Sequence, residues 1–105
     1  MTRLAAKTDA NAKEIDKALL ALGASVAKTD GVGGGFPDRV VGFNGKNYLI
    51  EYKDGSKPPS KQRLNEQQRR WHDKWQGQVV VVRNPREALE VVLGLRILKM
   101  KSDPT

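Results

Sequence analysis

The stretch Arg39-Val40-Val41-Gly42-Phe43-Asn44-Gly45-Lys46-Asn47-Tyr48-Leu49-Ile50-Glu51-Tyr52-Lys53 decides how this chain folds. Two runs rich in β-branched and aromatic residues flank Asn44-Gly45, a dipeptide that tolerates the positive φ angles of a two-residue hairpin turn. Residues 39–43 are therefore expected to form one strand and residues 46–53 its return. Side chains alternate along a strand, so Tyr48, Ile50 and Tyr52 share one face while Leu49, Glu51 and Lys53 share the other. Just upstream stands Gly33-Gly34-Gly35-Phe36-Pro37-Asp38, which brings a further carboxylate to the start of the hairpin. Buried charge is costly unless it is paired or bound to an ion. Two acids and a lysine near a glycine-rich turn need such a partner.

Outward from the hairpin the signals are mostly helical. Residues 1–10 read as a flexible arm. Asn11-Ala12-Lys13-Glu14 has the spacing of a capping box, in which Asn11 caps an amide three residues on and Glu14 reaches back. Ile15, Ala18, Leu19 and Leu22 then recur at helical intervals, and Gly23 ends the helix. Residues 24–28 suggest a short strand and residues 29–35 a glycine-rich loop. Beyond the hairpin, residues 54–63 form a polar loop containing Pro58 and Pro59. Asn65 can cap a helix running to about Trp75, with Gln68, Trp71 and Trp75 on one face, and Gly77 closes it. Residues 78–82 are apolar on both sides, as in a strand covered by helices. Asn84-Pro85-Arg86-Glu87 is a second capping box with proline at the first helical position. The helix it starts would bury Ala88, Leu89, Val92 and Leu93 or Leu95. Residues 99–105 read as a disordered basic tail. The order α-β-β-β-α-β-α predicts an α/β sandwich with a mixed central sheet flanked by helices, one domain over residues 11–98.

Bulk properties narrow the function. A chain of 105 residues supports one core. The absence of cysteine excludes disulfides, thiolate zinc sites and cysteine nucleophiles, and a single histidine argues against multi-histidine metal sites. No apolar run approaches the roughly 20 residues of a membrane span, and residues 1–13 lack the apolar stretch of a signal peptide. A soluble cytoplasmic protein is expected, with no membrane partner. Nineteen Lys and Arg against 12 Asp and Glu give a net charge of +7. That excess favours an anionic polymer, nucleic acid first.

Asp38, Glu51 and Lys53 are the parts that metal-assisted phosphodiester hydrolysis requires. Carboxylates hold Mg²⁺ alongside waters and phosphate oxygens. The cation makes a bound water more acidic, and a lysine can orient that water or offset developing charge. A strand carrying Glu and Lys two positions apart aims both at one point, with the Tyr52 carbonyl between them as an extra ligand.

Pro37-Asp38, the hairpin and Glu51-Tyr52-Lys53 resemble the signature of the PD-(D/E)XK nuclease superfamily. More narrowly, the chain is similar to a stand-alone VRR-NUC domain: a glycine-rich turn before Pro-Asp, Glu-x-Lys, a glutamine-bearing helix, then Gly and a Val-rich strand. The resemblance covers about residues 11–93 and implies a restriction-endonuclease-like sandwich. It implies Mg²⁺ or Mn²⁺ on Asp38 and Glu51, Lys53 assisting the water, and Gln68 supporting the site, with Gln67 the neighbouring register. Glu14 matches an additional acid that members often carry on the first helix. Stand-alone members, common in phages, resemble Holliday-junction resolvases, and the resemblance implies a homodimer that cuts branched DNA in the cytoplasm of a cell or phage host.

Each feature has an ordinary competitor. Asp38, Glu51 and Lys53 could be a structural ion pair, and Glu14 has its capping role. Gly33, Gly34 and Gly35 are not followed by the Lys-Ser/Thr of a P-loop, so a tight turn that lets backbone approach the site is expected. Trp71 and Trp75 are expected as core or dimer anchors rather than base-stacking platforms, and His72 as a surface or packed residue. Lys57, Lys61, Arg63, Arg69 and Arg70 flank Glu-x-Lys in sequence and are expected to track phosphates. The alternatives to a nuclease are a non-catalytic nucleic-acid-binding module on a nuclease-like fold, or a basic surface that docks an acidic protein.

Overall fold

The computed structural model describes residues 4–96, with side chains from Ala10 onward. The tail expected at residues 99–105 lies outside the described residues. The elements run α1 (Leu4–Leu22), β1 (Ser25–Lys28), β2 (Arg39–Phe43), β3 (Lys46–Tyr52), a 3-10 turn (Pro59–Lys61), α2 (Glu66–Lys74), β4 (Val80–Val82) and α3 (Pro85–Val92). The result is an α/β fold whose four-stranded sheet has the order β1-β2-β3-β4. β1–β2 and β2–β3 are antiparallel, and β3–β4 is parallel, so the sheet is mixed.

The hairpin forms as its sequence predicts. Phe43 pairs with Lys46 across Asn44 and Gly45, whose φ angles of 53° and 79° are both positive. The register sets Arg39 opposite Ile50 and Val41 opposite Tyr48. Opposed residues share a face, so Arg39, Val41, Ile50 and Tyr52 face one way, and Val40, Leu49, Glu51 and Lys53 the other.

The first face carries the hydrophobic core. Ile15 and Leu19 of α1 meet Val41, Ile50, Tyr52 and Val82 of the sheet and Ala88, Val91 and Val92 of α3. The opposite face carries α2, which has no fully buried residue. An aromatic cluster adds to its hold: Phe36 meets Trp71 edge-on at 5.3 Å, and Trp71 stacks on Trp75 at 4.7 Å. The Trp75 indole also donates to the Gln78 carbonyl. Gly35 explains the close approach of α2. At its φ of 88°, an added Cβ would lie 2.5 Å from the Gln67 carbonyl oxygen and 3.0 Å from Trp71 Cβ.

Five local expectations are corrected. α1 begins at Leu4, so residues 4–10 belong to a helix rather than an arm, and Asn11 lies inside it instead of capping it. The Asn11 amide donates instead to the Lys53 and Arg83 carbonyls, tying α1 to the ends of β3 and β4. β4 is a short edge strand, because the Gln78 side chain takes both backbone groups of Leu49 where a longer ladder would have paired. In α3, Val91 is buried where Leu93 or Leu95 was expected, and both leucines are exposed. Asn84 does cap α3, accepting from the Glu87 amide, but Glu87 accepts from the Arg83 amide rather than from Asn84.

Candidate active site

Asp38 stands immediately before β2 and, by the hairpin register, opposite Glu51 on the α2 face. Its Oδ2 accepts from the Tyr52 amide at 2.9 Å. A residue's N–H and C=O point to the same side of a strand. The Tyr52 carbonyl therefore faces the edge on which Asp38 sits.

Glu51 is 1 % exposed, an unusual burial for a carboxylate. Its Oε2 accepts from the Gln68 side-chain amide at 2.8 Å, with the Lys53 ammonium 3.7 Å away. Its Oε1 is buried with no partner. Burial, reinforced by the charge of Asp38 and only partly offset by Lys53, pushes the Glu51 carboxyl up to about 8. At neutral pH and without a cation, Glu51 therefore keeps its proton.

Gln68 connects the acid to the amine. Its Oε1 accepts from Lys53 Nζ at 2.9 Å and from the Asn65 amide at 3.0 Å, while Nε2 serves Glu51. The reverse amide orientation would set donors against each other at Lys53 and at the Asn65 amide. The Asn65 side chain accepts from the Gln68 amide, completing a capping box that fixes Gln68 in the first turn of α2. Gln68, not Gln67, reaches the cluster.

A cleft of about 600 Å³ opens at this end of the sheet, lined by Asp38, Tyr52 and Lys53. Lys13, Lys28, Lys57 and Lys61 also border it. Glu51 lies behind this wall. The fold therefore brings Asp38, Glu51, Lys53 and Gln68 together, but not Glu14, which is exposed on α1 and outside the cleft lining. Because Asn11 caps nothing, Glu14 also lacks the capping role expected of it.

The expected phosphate-tracking residues divide. Lys57 and Lys61 border the cleft, whereas Arg63 and Arg69 line a separate hollow with Arg83 on the other side of the 58–64 segment. Arg69 and Arg70 are paired with Glu66 at 2.9 and 3.1 Å. Trp71 and Trp75 are spent on one another and on Phe36. His72 is half-buried with Nε2 unpartnered, and burial lowers its pKa.

Sequence reasoning missed a buried network under the site. Arg39 binds Asp16 through Nε at 2.9 Å and Nη2 at 3.0 Å, and Nη1 donates to the Asp38 carbonyl at 2.9 Å. The Tyr52 hydroxyl donates to Asp16 at 2.8 Å, and the guanidinium lies 4.8 Å from the centre of the Tyr52 ring. A signal was present: Arg39 shares strand parity with Val41, and Asp16 follows Ile15 on the apolar stripe of α1. An inward arginine requires an inward acid.

Compared with known proteins, the chain matches no family profile, no curated protein and no solved structure. Among the described residues, no helix is long and apolar enough to cross a membrane, and no three acidic, histidine or cysteine side chains converge as a metal cage.

Proposed function

We propose that this chain is a Mg²⁺- or Mn²⁺-dependent deoxyribonuclease of the PD-(D/E)XK type, similar to a stand-alone VRR-NUC domain with a restriction-endonuclease-like fold. Its proposed substrate is branched DNA, addressed by a homodimer whose two sites face two strands. One observation carries the reading: the buried Glu51 has an unpartnered oxygen and stands beside Asp38 and an amine that a glutamine holds in place. Two carboxylates and the Tyr52 carbonyl are hard oxygen donors of the kind such a cation takes, with waters and phosphate completing its shell. Bound there, the cation would supply Lewis acidity to a water and to the phosphate oxygens.

The chain's own residues do the rest. Glu51 must release its proton for the oxygen pair to be fully charged. Lys53, restrained by Gln68, offers its ammonium to the attacking water or to charge developing on the phosphate. The lysines bordering the cleft hold the nucleic-acid backbone without reading sequence. The convergence of only two acids favours a second reading, a non-catalytic nucleic-acid-binding module.

Four-way junction, splayed-arm and linear duplex DNA, incubated with Mg²⁺, Mn²⁺, Ca²⁺ or EDTA, separate the two. Cleavage is expected with Mg²⁺ or Mn²⁺ alone, best on branched DNA. Asp38→Ala and Lys53→Ala are expected to bind DNA without cutting it. Cutting that survives EDTA or Asp38→Ala refutes the chemistry, and binding with no cutting under any condition supports the second reading.

A further inference from the structure

We infer that the cluster takes one divalent cation per chain, and that the Arg39 guanidinium is a resident cation standing where a second metal would require an acid. The inference rests on the nuclease reading above and concerns how many metals that site accepts. Two-metal phosphodiester sites hold their ions about 3.5–4 Å apart, and Mg²⁺-like ions draw on carboxylates. Asp38 and Glu51 would therefore need a further acid nearby. Asp16 is the buried candidate that borders the same cleft.

Asp16 is already committed. Its Oδ1 accepts from Arg39 Nε and from the Tyr52 hydroxyl, and its Oδ2 accepts from Arg39 Nη2. The pairing is bidentate, the geometry in which a planar guanidinium meets a carboxylate best. Arg39 cannot leave easily: its side chain is 6 % exposed and anchored on the Asp38 carbonyl and the Tyr52 ring. Deprotonation gives no escape either, because a guanidinium stays charged in proteins. Of the other acids bordering the cleft, Asp30 is largely exposed and lies 3.9 Å from the same guanidinium, and Asp54 accepts from the Ser56 amide and hydroxyl at 2.9 and 2.7 Å. Arg39 thus neutralises Asp16 and Asp30, and its fixed charge beside Asp38 repels a second divalent ion.

The test counts bound Mn²⁺ on the full chain, by the loss of the free-ion paramagnetic resonance signal and by titration calorimetry. The unaltered chain is expected to bind one. Arg39→Gln releases Asp16 and is expected to bind two, the second more weakly. Asp16→Asn/Arg39→Gln removes both charges and is expected to return to one, with affinity within about threefold of the parent. Two ions on the unaltered chain, or one on a folded Arg39→Gln, overturn the inference while leaving the nuclease reading intact. A loss of all binding in the double variant overturns it too, because Asp16 would then be a ligand. An unaltered chain that binds none overturns the nuclease reading together with the inference. The count on the unaltered chain is decisive even if a variant does not fold, which circular dichroism reports.

Discussion

Ile50 and Glu51 are neighbours on β3 and almost equally hidden, at 0 % and 1 % exposed, yet they are buried in opposite ways. Ile50 enters hydrocarbon contributed by α1, α3 and the sheet. Glu51 enters a polar chamber formed by Asp38, Lys53 and Gln68. At Ile50 the stability comes from area removed from water, which is insensitive to protons and ions. The second face places a carboxylate where desolvation penalises its charge, and tolerates it by keeping the proton. The burial of Ile50 therefore adds to stability, whereas the burial of Glu51 costs stability once its carboxyl is charged.

The largest expected effect is on the first face. Ile50→Ala should destabilise the fold by about 2–5 kcal/mol, because a fully buried side chain leaves a cavity. Urea denaturation should give the same loss at pH 5 and pH 8. A strongly pH-dependent loss would break the contrast between the faces.

Glu51→Gln should behave in the opposite sense. The folded chain holds the Glu51 proton to about pH 8, whereas an ordinary carboxyl loses it near 4.5. The stability contributed by this raised value is full below about pH 4.5 and is lost as pH rises through 8, with a limiting slope of about 1.4 kcal/mol per pH unit. The variant lacks that slope. By pH 8 without metal it should be more stable than the parent by about 2–4 kcal/mol, the full slope being tempered by local relaxation. Parallel stability curves from pH 4 to 9 would show that Glu51 is not held protonated.

Gly35→Ala probes how α2 is seated on the second face. A Cβ there collides with the Gln67 carbonyl at a positive φ, so a loss of about 1–3 kcal/mol is expected. Trp71 fluorescence should shift as the helix lifts, and on the proposed nuclease reading DNA cleavage should fall because Gln68 moves with α2. A variant with unchanged stability and emission would remove this contact from the account.

The smallest effect sharpens the same comparison. On the proposed reading, cation binding expels the Glu51 proton, so Mn²⁺ affinity should rise about tenfold per pH unit between pH 6 and 8 and then level off, a gain of about 1.4 kcal/mol per unit. Calorimetry in buffers of different ionisation enthalpy would count the proton released. Affinity that is flat across this range would assign the proton elsewhere.

Much of the first face was legible because its signals are local. The Asn44-Gly45 turn, the alternation in β3 and the helical spacing of Ile15 and Leu19 each act within a few residues. Strand parity likewise placed Glu51 and Lys53 on one side. Ambiguity appeared where two local signals competed or a distant partner intervened. Asn11 fits a cap, yet α1 extends upstream and its side chain serves β3 and β4 instead. β4 stops short because a single glutamine takes the Leu49 backbone groups.

By itself, the sequence determined the α/β order, the hairpin and its register, and the side of β3 that carries the acid and the amine, because backbone periodicity and turn chemistry depend only on near neighbours. Tertiary structure alone decided that Gln68 bridges Glu51 and Lys53, that Glu14 is left outside, and that Arg39 closes on Asp16 beneath Asp38. Those outcomes depend on how much water each charge loses and which opposite charge arrives within hydrogen-bond reach. Both are properties of chain segments far apart in sequence that only folding brings together.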